Sequence, residues 1–128
     1  LPLLKQMSKR FPSISYCLDT GYENVNNEYS FRDFVDELAP GIAHLHLSDN
    51  YGKSDDHVPP GLQDGISEEN WRYLLNVLDK YENDIIGSLE MTPCTPGVMI
   101  RQASDFLFDV LNWPNQPKKT DWVATLLS

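Results

Sequence analysis

The sequence predicts an α/β protein with a parallel sheet, and three observations carry that expectation. Short apolar runs alternate with longer amphipathic stretches, so that strand and helix follow one another three times, which is the order produced by right-handed crossovers. Each apolar run ends in a polar residue or a turn former. The chain is also apolar enough to fold: 41% of its 128 residues are hydrophobic, with 3 Trp, 6 Tyr and 5 Phe, too many for a disordered segment.

Taken in order, Ser13 to Leu18 (SISYCL) follows Pro12 and ends in the turn-like Asp19-Thr20-Gly21, which reads as a strand. Ser30 is placed to cap a helix through Leu38, with Phe31, Phe34, Val35 and Leu38 at helical spacing and Pro40-Gly41 as its stop. Ile42 to Ser48 (IAHLHLS) alternates and reads as a second strand. Asp49 to Gly65 is polar, rich in Gly and Pro and without a period; so long a loop in a compact domain usually serves function. Ser67 then caps a helix to about Tyr81, with Glu68 and Glu69 in its first turn and Trp71, Leu74, Leu75 and Leu78 on one face. Ile85 to Met91 (IIGSLEM) is the third strand, and a last helix spans about Val98 to Leu111 with Ile100, Ala103, Leu107, Val110 and Leu111 as its stripe. The tail TDWVATLLS is expected to dock as a short helix or stay loose.

Three parallel strands cannot close on themselves. An eight-stranded α/β barrel takes roughly 250 residues, about twice this length, and an open three-stranded layer leaves two unpaired edges. Two arrangements satisfy the count: part of a barrel, or a half-barrel pairing with another copy. The first is favoured. The opening LPLLKQMSKRFPS carries no initiator Met and no signal-peptide pattern, so the segment reads as part of a longer chain.

Charge narrows the partners. Nineteen acidic and ten basic residues give a net charge of -9, and the basic residues are scattered, so a nucleic acid is not expected to bind. No run approaches the 18 or so apolar residues of a membrane span. Cys17 and Cys94 make no disulfide framework, which suits a cytoplasmic setting, and either could serve as a small buried hydrophobe.

In a parallel α/β sheet, ligands gather at the carboxyl ends of the strands. Here those ends carry Asp19, His46 and Glu90, three residue types that ligate metals. Strand parity puts His44, His46 and Ser48 on one face and Ala43, Leu45 and Leu47 on the other. His46, nearer the carboxyl end, is the ligand candidate; His44 is a buried histidine or a partner to a ligand. By the same parity Ser88 and Glu90 share a face, and a carboxylate there is costly unless paired or metal-bound.

The ordered set Asp19…His46-Leu-x-Asp49…Asp55-x-His57-x-Pro59-x-Gly61…Glu90, within YCLDTGY, HLHLSDNYGKSDDHVPPG and IIGSLEM, resembles the xylose isomerase-like barrel superfamily, in its sugar phosphate isomerase/epimerase branch. The resemblance runs over nearly the whole chain and corresponds to the C-terminal part of the (β/α)8 TIM barrel, its last three strands. It implies that Asp19, His46 and Glu90 are three of four metal ligands, with a fourth Glu on an earlier strand. The branch often carries His after Asp-x-Gly; here Tyr22 stands there, able to hydrogen-bond a sugar hydroxyl. The Gly-x-Gly that often follows is spaced differently, as Gly61-Leu62-Gln63-Asp64-Gly65.

Asp55 and His57 also resemble the pair that holds an extra zinc in the related apurinic-site endonucleases, which makes them further ligand candidates. In single-metal epimerases the same loop covers the substrate, and Lys53 and His57 are then candidates for binding a phosphate or hydroxyl. The implied function is a metal-dependent isomerase or epimerase of a small ketose or polyol: Glu90 moves a proton next to a carbonyl while a divalent ion, Mn first and Zn, Co or Mg as alternatives, stabilises the enediolate. Alternatives are a dehydratase of a cyclic polyol, an apurinic-site phosphodiesterase, which the acidity and Tyr22 oppose, and a non-enzymatic barrel remnant. The expected partners are the sugar or polyol and either a second copy or the rest of the barrel.

Overall fold

The computed structural model describes residues 1–26, 28–61, 64–81, 84–111 and 122–123. Its elements run α1 (Pro2–Arg10), β1 (Tyr16–Asp19), α2 (Thr20–Val25), α3 (Phe31–Leu38), a short 3-10 turn at Ala39–Gly41, β2 (Ile42–Leu47), α4 (Glu68–Leu78), β3 (Ile86–Leu89), α5 (Gly97–Leu111) and β4 (Trp122–Val123). All strand pairs are parallel, in the order β1-β2-β3-β4, and the sheet is open.

The three expected strands and the helices between them are present, with the strands shorter at their ends. Serine caps set the starts of two helices. The Ser30 hydroxyl accepts from the Asp33 N–H at 3.2 Å while the Asp33 carboxylate takes the Ser30 N–H at 2.8 Å, a reciprocal capping box. Ser67 accepts from the Asn70 N–H at 3.2 Å at the head of α4. Two helices carry no strong signal in the sequence. α1 buries none of its residues fully, and α2 has only six, held by the Asp19 cap. In the tail, Trp122–Val123 pairs with β3 as a strand, neither the short helix nor the loose tail expected; the rest of that tail, with Leu62 and Gln63, lies outside the described residues.

Helices cover one face of the sheet. Leu18, Leu45, Leu47 and Leu89 point to that side and pack with Phe34, Val35 and Leu38 of α3, Trp71, Leu74, Val77 and Leu78 of α4, and Ala103, Leu107 and Val110 of α5. Val77 takes the buried position expected of Leu75, which is only half-buried. Each large apolar side chain enclosed here contributes about 1.5–3 kcal/mol.

The other face carries Cys17 and Asp19, His44 and His46, and Ile86 and Ser88, as strand parity requires. Ile86 is 46% exposed and Cys17 is exposed, so Cys17 is not the buried hydrophobe that its residue type suggests; Cys94 is exposed too. Among the described residues only one face of the sheet is covered, which is unusual for a parallel sheet, because crossover helices normally leave both faces buried. No helix among the described residues is long and apolar enough to cross a membrane.

Candidate metal centre

Three strand ends deliver the first donors. Asp19 closes β1, His46 is the last residue but one of β2, and Glu90 directly follows β3. The register sets Asp19 beside His46 and His46 beside Ser88, so Glu90 stands one pleat farther towards the carboxyl end. His46 Nδ1 lies 3.1 Å from Glu90 Oε1 and 3.8 Å from Asp19 Oδ2. The Asp19 carboxylate divides its work: Oδ1 accepts the Tyr22 N–H at 3.0 Å and caps α2, which leaves Oδ2 towards His46. His44, one pleat back, pairs its Nε2 with Ser88 Oγ at 2.9 Å and meets the His46 ring edge-to-face at 5.1 Å.

The long loop adds a fourth donor. Asp49 and Val58 form an antiparallel bridge, with N···O distances of 2.8 and 2.9 Å, that folds the residues between them back over the strand ends. The His57 carbonyl then accepts the Thr92 N–H at 3.1 Å, tying the loop to the chain beyond β3. His57 Nε2 comes to 3.6 Å from Glu90 Oε2, and Asp19, His57 and Glu90 each offer a donor atom within 4.8 Å of the others'. Behind His57, Asp55 Oδ1 stands 3.4 Å from Nδ1 and the Asp55 carbonyl 3.2 Å from it, an arrangement that orients the ring. His57 adopts a φ of +48°, in the left-handed region that costs a non-glycine residue about 1 kcal/mol, so its surroundings impose the pose.

Donors bound to a Zn- or Mn-sized ion at about 2.0–2.3 Å sit about 3–3.6 Å from one another. The distances of 3.1 and 3.6 Å fall in that range and the 3.8 Å one slightly beyond it, and two carboxylates with imidazole suit a borderline or hard divalent cation. The Asp19, His57 and Glu90 triad is therefore a possible metal-binding group; His57 holds in it the place that the sequence reading gave to His46, which lies against the two carboxylates.

The local field is negative. Partial burial opposes charge on His57, but the Asp55 carbonyl and the Asp55, Asp19 and Glu90 carboxylates outweigh it and raise the imidazole pKa. Partial burial, then the Asp19 and Glu90 charges, push the Cys17 thiol up, the opposite of what a reactive thiolate needs. Glu23, 8% exposed, is pushed up to about 7 by burial first and by the Asp19 charge second.

Of the residues singled out from the sequence, the fold gathers Asp19, His46, His57 and Glu90, with Asp55 behind His57. It leaves Tyr22 and Lys53 at the surface. The Tyr22 ring is 58% exposed and that residue joins the site through its backbone N–H; Lys53 is exposed on the loop. Other residues that build the site were not singled out. Thr20, fully buried, donates to the Ser48 carbonyl at 2.7 Å and accepts the Ser48 N–H at 3.1 Å, joining the ends of β1 and β2. Asn50 donates to the Gly21 carbonyl at 2.6 Å and accepts from Asn24 at 2.9 Å. A Cβ on Gly21 would stand 2.8 Å from Asp55 Oδ1, so the glycine of Asp-Thr-Gly makes room for the loop that brings His57. The spacing of the Asp-x-Gly pattern was visible, but its cause lies in a segment some thirty residues on, which no local signal reveals. The chain matches no family model, no curated protein and no solved structure, so its function is read from this geometry.

Proposed function

We propose that this chain is the C-terminal portion of a metal-dependent (β/α)8 barrel that isomerises or epimerises a small ketose or polyol. The observation that carries the reading is the meeting of Asp19 and Glu90, at the carboxyl ends of parallel strands, with His57 from the loop, while His46 lies against both carboxylates. The sheet face left open by the described residues supports the barrel, whose remaining strands would close over Ile86 and Cys17 and bring a further carboxylate.

Asp19, His46 and Glu90, with His57 from the loop, would hold the cation. A bound divalent ion, Mn first with Zn, Co or Mg as alternatives, supplies a Lewis acid for the oxygen charge that develops when a proton leaves the neighbouring carbon. Glu90 receives that proton. Its side chain is 13% exposed, enough to face the open side of the sheet yet dry enough to strengthen its interactions there. His46 Nδ1, 3.1 Å from Glu90 Oε1, stands where it would share the cation with that carboxylate. Ser88 holds the His44 ring, which in turn buttresses His46.

One observation favours a second reading. His57 joins the cluster with Asp55 behind it, as a zinc phosphodiesterase of abasic DNA would require. The net charge of -9 opposes a polyanionic substrate. Solvent exchange separates the two. The protein carrying this segment, given Mn, should exchange a carbon-bound hydrogen of a ketose, ketose phosphate or inosose-type polyol with deuterated water, and Glu90→Gln should abolish the exchange. Incision of an abasic duplex, with no exchange on any member of the panel, would establish the second reading and reject the first.

A further inference from the structure

The loop that delivers His57 is anchored at one point that the proposed chemistry does not use. Asp49, fully buried, makes an unusual set of contacts for a carboxylate. Its Oδ1 accepts the Asn50 N–H at 2.8 Å and the Ile66 N–H at 2.7 Å, and its backbone makes both hydrogen bonds of the bridge to Val58. One residue thus ties the start of the loop to its middle and to its end. Gly65 forms the floor beneath the carboxylate: any Cβ there would fall inside van der Waals distance of all three of its outer atoms. The Gly61 N–H and the Trp71 indole also face the carboxylate and favour its charged form, although neither Asp49 Oδ2 nor Trp71 Nε1 is within hydrogen-bond distance of a partner among the described residues. A buried carboxylate with one unpaired oxygen costs stability. A core of Ile66, Trp71 and Leu74 would gain by an apolar side chain in its place, unless the carboxylate has a task.

We propose that Asp49 is a positioning residue that shapes the loop after β2 so that His57 reaches Asp19 and Glu90. The geometry makes the task specific. His57 holds a left-handed φ of +48°, and its neighbours in sequence are fixed by the Asp49–Val58 bridge on one side and Gly21 against Asp55 on the other. Without the Asp49 carboxylate, the Asn50 and Ile66 N–H groups lose their acceptor and the two ends of the loop separate. His57, with φ > 0 to relieve, then leaves the cluster, while Asp19, His46 and Glu90 stay on their strands.

This inference rests on the metal-centre reading, so its test has one arm without metal. In the metal-free chain, magnetisation transfer between His57 ring protons and Glu90 side-chain protons reports the 3.6 Å approach. It should be present in the wild type, absent in Asp49→Ala and in Gly65→Ala, which expels the carboxylate from below, and retained in Asp49→Asn, whose amide oxygen can still accept both N–H groups. In the second arm Co²⁺ alone is the probe. His57→Ala should weaken Co²⁺ binding and shift its visible bands. Asp49→Ala should produce the same shifted spectrum and a Kd raised about 10- to 100-fold, and the double variant should go no further than either single one. Retention of the His57–Glu90 transfer in folded Asp49→Ala and Gly65→Ala would overturn the proposal whatever the metal arm shows. Transfer behaving as expected, with no Co²⁺ bound by the wild type, would uphold the positioning role and reject the metal centre.

Discussion

Glu23 allows the electrostatics of the site to be tested by a single substitution, Glu23→Gln. The residue is 8% exposed, and its Oε2 is buried with no hydrogen-bond partner among the described residues. Burial, followed by the Asp19 charge, raises its pKa from 4.5 to about 7. The folded state therefore keeps the proton over an interval in which the unfolded chain has released it. A raised carboxyl pKa makes the folded state bind more protons between those two values, so stability falls as the pH climbs through them. The penalty is absent below about pH 4.5 and fully present above about pH 7. At about 1.4 kcal/mol for each tenfold change in proton affinity, it amounts to about 3 kcal/mol. Glutamine keeps the shape and leaves a comparable polar atom unpaired, so the substitution isolates the charge. Urea unfolding should find Glu23→Gln equal to wild type at pH 4 and more stable by about 3 kcal/mol at pH 8, with unchanged slope. Saturating Mn²⁺ should narrow the gap at pH 8, because a cation on Asp19 cancels the second cause of the shift. An equal difference at both pH values would refute the argument.

Metal content of the purified protein should fall sharply on His46→Ala and on Glu90→Gln; unchanged stoichiometry in both would remove them from the site. Gly61→Ala should destabilise by about 2–4 kcal/mol in urea, because Gly61 has φ +86° and a Cβ would stand 2.5 Å from the Phe106 ring, whereas a loss below 0.5 kcal/mol would show that the loop yields freely. The 128 residues expressed alone should self-associate through the open sheet face, and Ile86→Lys should reduce that association in sedimentation; a wild-type monomer with cooperative unfolding would contradict the partial barrel.

What the sequence by itself determined is the set of features with short-range causes. Serine at 30 and 67 sets helix starts because the capping partner is three residues on. Alternation in IAHLHL determines which face Leu45 and Leu47 bury, and hence that His44 and His46 share the other. Ligands gather at the strand ends of a parallel sheet, so Asp19 and Glu90 were legible as neighbours from the sequence alone, whereas the group they form takes His57 where the sequence reading put His46. Only the tertiary structure decided the rest. That His57 completes the cluster depends on a bridge between Asp49 and Val58 and on a carboxylate set over Gly65, contacts between residues with no period to announce them. That Cys17 is exposed and Glu23 enclosed depends on which face the helices cover. Propensity and parity act over a few residues, whereas a loop is shaped by whichever distant groups satisfy its backbone, and those are known only once the chain has closed around them.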